Sequence, residues 1–198
     1  MLVACAVLAA GCAFGTRQPT LIYPPAAEPG VSGVAQAAPQ PAAKNVAIVL
    51  NAFGDQRSDK KSVGTVRNGF GMRTAEVIPT NSVPQWVTEA MRTELKNAGY
   101  TLASEPPASG APPGSVAVNG DVLNAFCDVY FTYTGQVSLL VKANRDGKVL
   151  LDRHYSGEGS AGLNVAATEE SYAQSLALAL SAALKKFVAD LDAALQAR

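Results

Sequence analysis

The chain has 198 residues, 16 basic and 16 acidic side chains, one His, three Cys and 48% hydrophobic residues. Zero net charge without a long basic run argues against nucleic acid as a partner, and the apolar content is too high for a disordered chain. No apolar stretch reaches the roughly 18 residues that a helix needs to span a bilayer, so the length is read as one domain plus a tail.

The first eleven residues are apolar and small, and Cys12 follows them. Such a run, ending in small residues, reads as the end of a secretory signal. It is short and lacks a preceding Lys or Arg, so we expect Met1 to be an internal start. Leu8-Ala9-Ala10-Gly11-Cys12 resembles the lipobox of bacterial lipoproteins. That resemblance implies cleavage before Cys12, diacylglycerol on its thiol and a further acyl chain on its freed amine. Two or three chains anchor stably where one is marginal, at ~0.8 kcal/mol per buried methylene. Ala13 and Phe14 come next; with no Asp after the Cys, the resemblance implies the periplasmic face of the outer membrane. With Cys5 removed and Cys12 lipidated, Cys127 is left alone, and no internal disulfide is expected.

Residues 12–44 are Pro- and Ala-rich, with only Arg17, Glu28 and Lys44 charged. No helical or strand period runs through them, which predicts an extended tether on the order of 100 Å at ~3.1 Å per residue. If any piece packs on the domain, Leu21-Ile22-Tyr23 is the expected one. The folded unit is expected over 45–198. It opens with Asn45–Leu50, an apolar run suited to a buried strand. Residues 51–59 are turn-like, and 63–78 contain Gly64, Gly69 and Gly71 with Asn68-Gly69 as a hairpin signal. A protruding, glycine-rich hairpin is expected there.

Asn81 or Ser82 can cap a first helix, with Pro84 in its first turn and Gly99 as its left-handed stop. Val83, Trp86, Val87, Ala90, Met91 and Leu95 lie on one stripe. Tyr100–Leu102 begins a short strand, and 104–114 is a Pro-rich loop. Strands are predicted over 116–126 and 129–143, with Cys127-Asp128 bending one into the other. The Asn144–Gly147 turn leads to a return strand over 149–155. Gly157, Gly159 and Gly162 close this part. Tyr172, Leu176, Ala179, Leu180, Ala183, Leu184, Phe187, Val188, Leu191 and Leu195 define a long final helix capped by Thr168. The order reads as α+β, with two helices on one face of a mainly antiparallel sheet.

Val46-Ala-Ile-Val-Leu-Asn51 followed by Asp55-Gln-Arg57-Ser-Asp59 looks like the opening of the YajG-like family of bacterial lipoproteins. Gly64-Thr-Val-Arg67, Gln85-Trp86-Val87, Glu94–Tyr100 and Val118-Asn-Gly-Asp-Val122 continue the likeness in the same order. The chain departs from it in its longer tether and its Pro-rich 104–114 loop. The resemblance implies an envelope lipoprotein without an established reaction, and carries over no functional residue except Cys12.

The chemical candidates are few. His154 is the only His, so a serine triad, a zinc site or a Cys127–His154 pair would all need it. A small buried thiol and a strand His are the plainer reading, and neither a catalytic residue, a metal nor a cofactor is expected. Gly64, Gly69 and Gly71 do not match a phosphate loop, since no Lys-Ser/Thr follows. No carboxylate pair suits a glycosidase. Asp55, Arg57 and Asp59, with Arg67 and Arg73 nearby, either pair within the loop or bind a charged partner at a strand end. The expected role is a non-enzymatic, lipid-anchored domain that binds another envelope component, self-association being left open. Loops 51–80 and 104–114 are the expected contact surface. The alternatives are an auxiliary lipoprotein of an envelope transporter or cell-wall synthase, and an envelope hydrolase.

Overall fold

The computed structural model describes residues 15–23, 44–103, 111–163 and 168–197. Cys12, the signal segment 1–11, most of the expected tether and most of the 104–114 loop lie outside these residues. Eight strands and two helices follow in the order β1 (Lys44–Leu50), β2 (Gly54–Asp55), β3 (Gly64–Arg67), β4 (Arg73–Val77), α1 (Val83–Asn97), β5 (Tyr100–Leu102), β6 (Val116–Val129), β7 (Tyr133–Arg145), β8 (Lys148–Gly159) and α2 (Glu169–Gln196).

The long strand β6 is the template of the sheet. Along one edge it pairs antiparallel with β7 over its whole length, and β7 pairs antiparallel with β8. Along its other edge it meets β1, β2 and β3 in succession, all parallel: Ile48 opposite Val116, Gly54 opposite Asp121, Gly64 opposite Cys127. Parallel β5 flanks β1, and antiparallel β4 flanks β3. The long pairings are therefore antiparallel, as expected, but the sheet is mixed, because the short strands β1, β2, β3 and β5 add parallel pairings that the sequence reading did not foresee. The reason is connectivity: β1, β2 and β3 meet β6 only after the excursion through α1 and β5, and such a crossover permits parallel pairing.

Two local expectations change as well. Cys127 and Asp128 lie inside β6 rather than at a bend, and the chain reverses at Tyr130–Thr132. The strands β3 and β4 are joined by the five residues 68–72 rather than by a two-residue Asn-Gly turn. Asn68 shapes that loop, its side-chain oxygen accepting from the backbone N–H groups of Phe70 and Met72 at 3.0 Å each.

Both helices cover one face of the sheet. Tyr133, Val137, Leu139, Val141 and Ala143 of β7 point into the core, whereas Thr134, Gln136 and Lys142 alternate outward. Period-2 alternation of this kind marks a sheet buried on one side. Helix α1 starts at Ser82, whose side chain accepts from the N–H of Gln85, and stops before Gly99 at φ 86°. Thr168 caps α2, accepting from the N–H of Ser171, and Glu169 and Glu170 occupy the positive end of its dipole. Tyr172, Leu176, Leu180, Leu184, Phe187 and Leu191 bury the predicted stripe.

Gly157 and Gly159, read above as closing residues, lie within β8 and form the seat of α2. A Cβ on Gly157 would stand 2.1 Å from the Ala179 carbonyl oxygen, and one on Gly159 would stand 2.5 Å from the Ala179 nitrogen. The helix backbone thus rests on the strand itself, a close approach that only glycine permits.

The tether expectation needs correction at its start. Residues 17–21 form a strap along β4 and the entry of α1. Arg17 bridges Val77 in parallel fashion, with Arg17 N–H donating to the Glu76 carbonyl (3.1 Å) and Ile78 N–H to the Arg17 carbonyl (2.8 Å). Thr80 N–H donates to the Pro19 carbonyl at 3.0 Å. Leu21 is buried in the core, and the Asn81 side chain both donates to and accepts from its backbone. Tyr23 donates a hydrogen bond to Glu94 of α1.

Candidate functional site: an apolar end of the sheet

The charged residues singled out by sequence separate into two groups. Asp55, Arg57 and Asp59 build the loop between β2 and β3. The Arg57 guanidinium donates from Nε and Nη2 to the two Asp55 carboxylate oxygens at 2.9 Å each. It also donates to the Ser62 and Lys60 carbonyls at 3.2 and 2.8 Å. Asp59 accepts from the N–H groups of Lys61 and Ser62. Arg57 is buried, and its bond to Asp55 holds that carboxyl below the usual range. This group clamps a segment whose backbone lacks strand partners, so Arg57 is not offered to a partner at the surface.

Arg67 and Arg73 belong elsewhere, opposite each other where β3 and β4 part. Arg67 donates from Nε and Nη2 to both oxygens of Asp128 at 2.7 and 2.9 Å, and from Nη1 to the Gly71 carbonyl at 3.0 Å. This fork ties the 68–72 loop to the end of β6, and it is the geometry in which Arg and carboxylate match best. Arg73 is exposed at the root of the same loop.

The fork underlies a feature that the sequence reading did not find. Phe70 is 88% exposed, Phe131 70% and Leu163 74%, with Met72 and Tyr130 about half exposed. All five sit at one end of the sheet: Phe70 and Met72 on the β3–β4 loop, Tyr130 and Phe131 on the β6–β7 turn, Leu163 bridging Thr132 beside them. The Tyr130 and Phe131 rings meet edge-on with centroids 4.1 Å apart. Tyr130 covers Gly71, where a Cβ would stand 3.1 Å from the ring. A groove of about 500 Å³ runs from these rings past Phe126, Asp128, Thr132 and Gln136. Single exposed apolar residues are ordinary on a protein surface, but a contiguous cluster marks a place of contact. One signal was available: Tyr-Phe-Thr stands between two strong strands where Asn, Asp or Gly is the usual closure.

The remaining chemical candidates do not assemble. Cys127 is buried and faces the core, and burial pushes its thiol up to about 12, far from a thiolate at neutral pH. His154 lies on the outward face of β8. Cys127 is opposite Gly135 and His154 opposite Leu140 on the intervening strand, so roughly 17 Å of strand at ~3.3 Å per residue separates the two positions. Among the described residues no three His, Cys, Asp or Glu side chains gather as a metal site, and no helix is long and apolar enough to cross a membrane.

The fold has relatives of known structure. Protein XCC0632 from Xanthomonas campestris, of family DUF330, shares 12% identity at a TM-score of 0.53, covering 92% of this chain and 99% of its own. The hypothetical protein CT253 from Chlamydia trachomatis (11% identity, TM-score 0.45, covering 77% and 99%) and lipoprotein GNA1162 from Neisseria meningitidis (13%, 0.35, covering 59% and 84%) are more distant. No curated protein matches the sequence. A family model described as "Uncharacterized lipoprotein" matches residues 34–196, nearly the whole folded unit, and the chain belongs to that family, Lipoprotein_16.

Proposed function

We propose that this chain is a non-enzymatic lipoprotein of the cell envelope, held through acyl chains on Cys12 at the periplasmic face of the outer membrane, whose domain binds another envelope component with its apolar end. Membership of a lipoprotein family supports the anchor, and the YajG-like likeness is our finer reading within it. The observation that carries the binding role is the cluster of Phe70, Met72, Tyr130, Phe131 and Leu163. The folded unit gains nothing by exposing it, and the Arg67–Asp128 fork and the Asn68 side chain hold it in place. The 68–72 loop, with Phe70 and Met72 exposed, is the leading contact element, and Arg67 acts there by positioning it.

Mass spectrometry of the membrane-extracted chain tests the anchor. A diacylglyceryl mass on Cys12 is expected, and Cys12→Ala should be released from membranes by an alkaline wash. An unmodified Cys12 in the extracted chain would sink this reading. Photo-crosslinking in cells from position 72 tests the binding surface, and adducts formed equally well from position 149, at the far end of the sheet, would count against it.

A further inference from the structure

The strap fixes where the anchor leaves the domain. Residues 17–20 run parallel to β4, with Arg17 beside Val77 and Pro19 bonded at Thr80. Strand β4 begins at Arg73, next to the 68–72 loop. Going backward from Arg17 therefore leads along β4 toward Arg73, Met72 and Phe70. A second contact agrees. Gln18 N–H donates to Glu169 Oε1 at 2.8 Å, and Glu169 opens α2, whose cap Thr168 N–H donates to the Tyr133 hydroxyl beside the β6–β7 turn. The strap thus enters the molecule from its apolar end.

Chain length then limits the distance. Five steps of chain lead from Arg17 back to Cys12, and at 3.3–3.6 Å per step they span at most about 18 Å. Acyl chains on Cys12 would hold the leaflet within about 18 Å of Arg17, and Arg17 itself lies beside Val77, four residues or roughly 13 Å of strand from the start of β4 at the apolar end. The side chains there are those of a membrane interface: a Tyr, two Phe, a Met and a Leu, whose amphipathic and apolar bodies settle at the headgroup boundary. Charges around them largely cancel. Arg67 is forked to Asp128, Lys61 pairs with Glu76, Glu169 accepts from the strap at Gln18, Glu170 follows it in the first turn of α2, and Arg73 stands exposed. Attraction to anionic lipid is therefore weak, and insertion of apolar surface is the term that remains.

We infer that the envelope component met by the apolar end of the sheet is the lipid itself: Phe70 and Met72 with Tyr130, Phe131 and Leu163 dip into the same leaflet that holds the Cys12 acyl chains, so that the domain lies against the membrane instead of hanging from a long tether. This rests on the lipidation of Cys12 proposed above. Interfacial insertion reaches about 5–10 Å into the headgroup boundary, which the exposed length of these side chains can occupy without any change in fold. Lipid anchor and apolar end then act as two linked contacts, each raising the local concentration of the other.

Tryptophan quenching by brominated lipid tests this on the full acylated chain. Phe131→Trp and, at the opposite end, Val149→Trp are each reconstituted into vesicles of phosphatidylethanolamine and phosphatidylglycerol with brominated acyl chains. Trp86 is buried and supplies the same background to both. The expected result is flotation of both variants with the vesicles, several-fold stronger quenching at position 131 than at 149, and little change on raising the salt. Flotation with equal quenching at the two positions would overturn the inference and leave the anchor intact. Failure to float, with no acyl mass on Cys12, would overturn the anchor and the inference with it. An unquenched position 131 that crosslinks to a second copy, or in cells to a single protein, would overturn it in favour of a protein interface.

Discussion

Strand β7 is closed at its two ends by turns of opposite chemistry. At the end leading to β8 the reversal is made by Asp146 and Gly147, with φ of 49° and 76°, between Arg145 and its partner Lys148. This is the left-handed pair of a tight two-residue hairpin, polar and solvated. At the end coming from β6 the reversal is made by Tyr130, Phe131 and Thr132, between Val129 and its partner Tyr133, and its aromatic rings stand in the open. Both turns perform the same geometric task within the same meander. The first shows what that task requires; the apolar surface of the second is in excess of it, and that excess is what the proposed contact uses.

The comparison can be broken most severely by removing the body that both turns share. Gly157→Val places side-chain atoms against the α2 backbone at Ala179, where neither strand nor helix can yield cheaply. A loss of about 3 kcal/mol or more is expected, or failure to fold, read by chemical denaturation with circular dichroism. Gly147→Val, next in size, forces a branched residue into the left-handed region at φ 76° and should cost about 1–2 kcal/mol while leaving vesicle quenching at position 131 unchanged. The converse variant, Tyr130→Ser with Phe131→Ser, should move stability by no more than about 0.5 kcal/mol, as exposed substitutions do, yet remove most of the quenching by brominated lipid of a tryptophan placed at Phe70. If stability fell instead, the aromatic turn would be structural and the contrast between the two ends would dissolve.

The smallest effect concerns the fork beneath the aromatic end. Hydrogen bonding to Arg67 holds the Asp128 carboxyl below its ordinary range. A carboxyl depressed in the folded state stabilises above its unfolded pKa, and that contribution is lost as the pH falls through the folded one. The 68–72 loop should therefore loosen below about pH 4, the ordinary carboxylate value. The protection of the Gly71 and Met72 amides, measured against the intrinsic exchange rate at each pH, should fall there and not in Asp128→Asn, where the loop is already loosened at neutral pH. An identical pH profile in the two proteins would show that Asp128 does not hold the loop.

Much of the architecture is legible along the chain. The helices announce themselves through caps and stripes, as Ser82 with Trp86, Val87 and Met91, and Thr168 with Leu176, Leu180 and Phe187. The apolar run at Ile48–Leu50 reads correctly as a buried strand. Pairings between distant segments leave no such local mark. That β1, β2 and β3 line one edge of β6 depends on loops and a crossover whose geometry no periodicity records. Glycines 157 and 159 carry no sign that a helix will rest on them, since the same residues also end strands. The strap escapes notice because its Pro-rich composition is that of a tether; only Leu21 and Tyr23 hinted at packing. At the candidate site, Arg67 was legible as a charged residue near a strand end, whereas the role of Tyr130 and Phe131 was hidden by their high β-propensity.

The strap has a mechanical side. A force applied to the chain ahead of the strap would enter the domain at Gly15 and be directed along β4, because the strap lies parallel to that strand. The bonds from Arg17 to the Glu76 carbonyl, from Ile78 to the Arg17 carbonyl and from Thr80 to the Pro19 carbonyl are then pulled sideways together. A load in shear must break all of them in one event, whereas a load applied across the strand would part them one at a time. Buried Leu21 and the paired side chain of Asn81 act as the stop behind them. The segment is thus built to bear tension applied from its N-terminal side, as the cable end of a mooring would be.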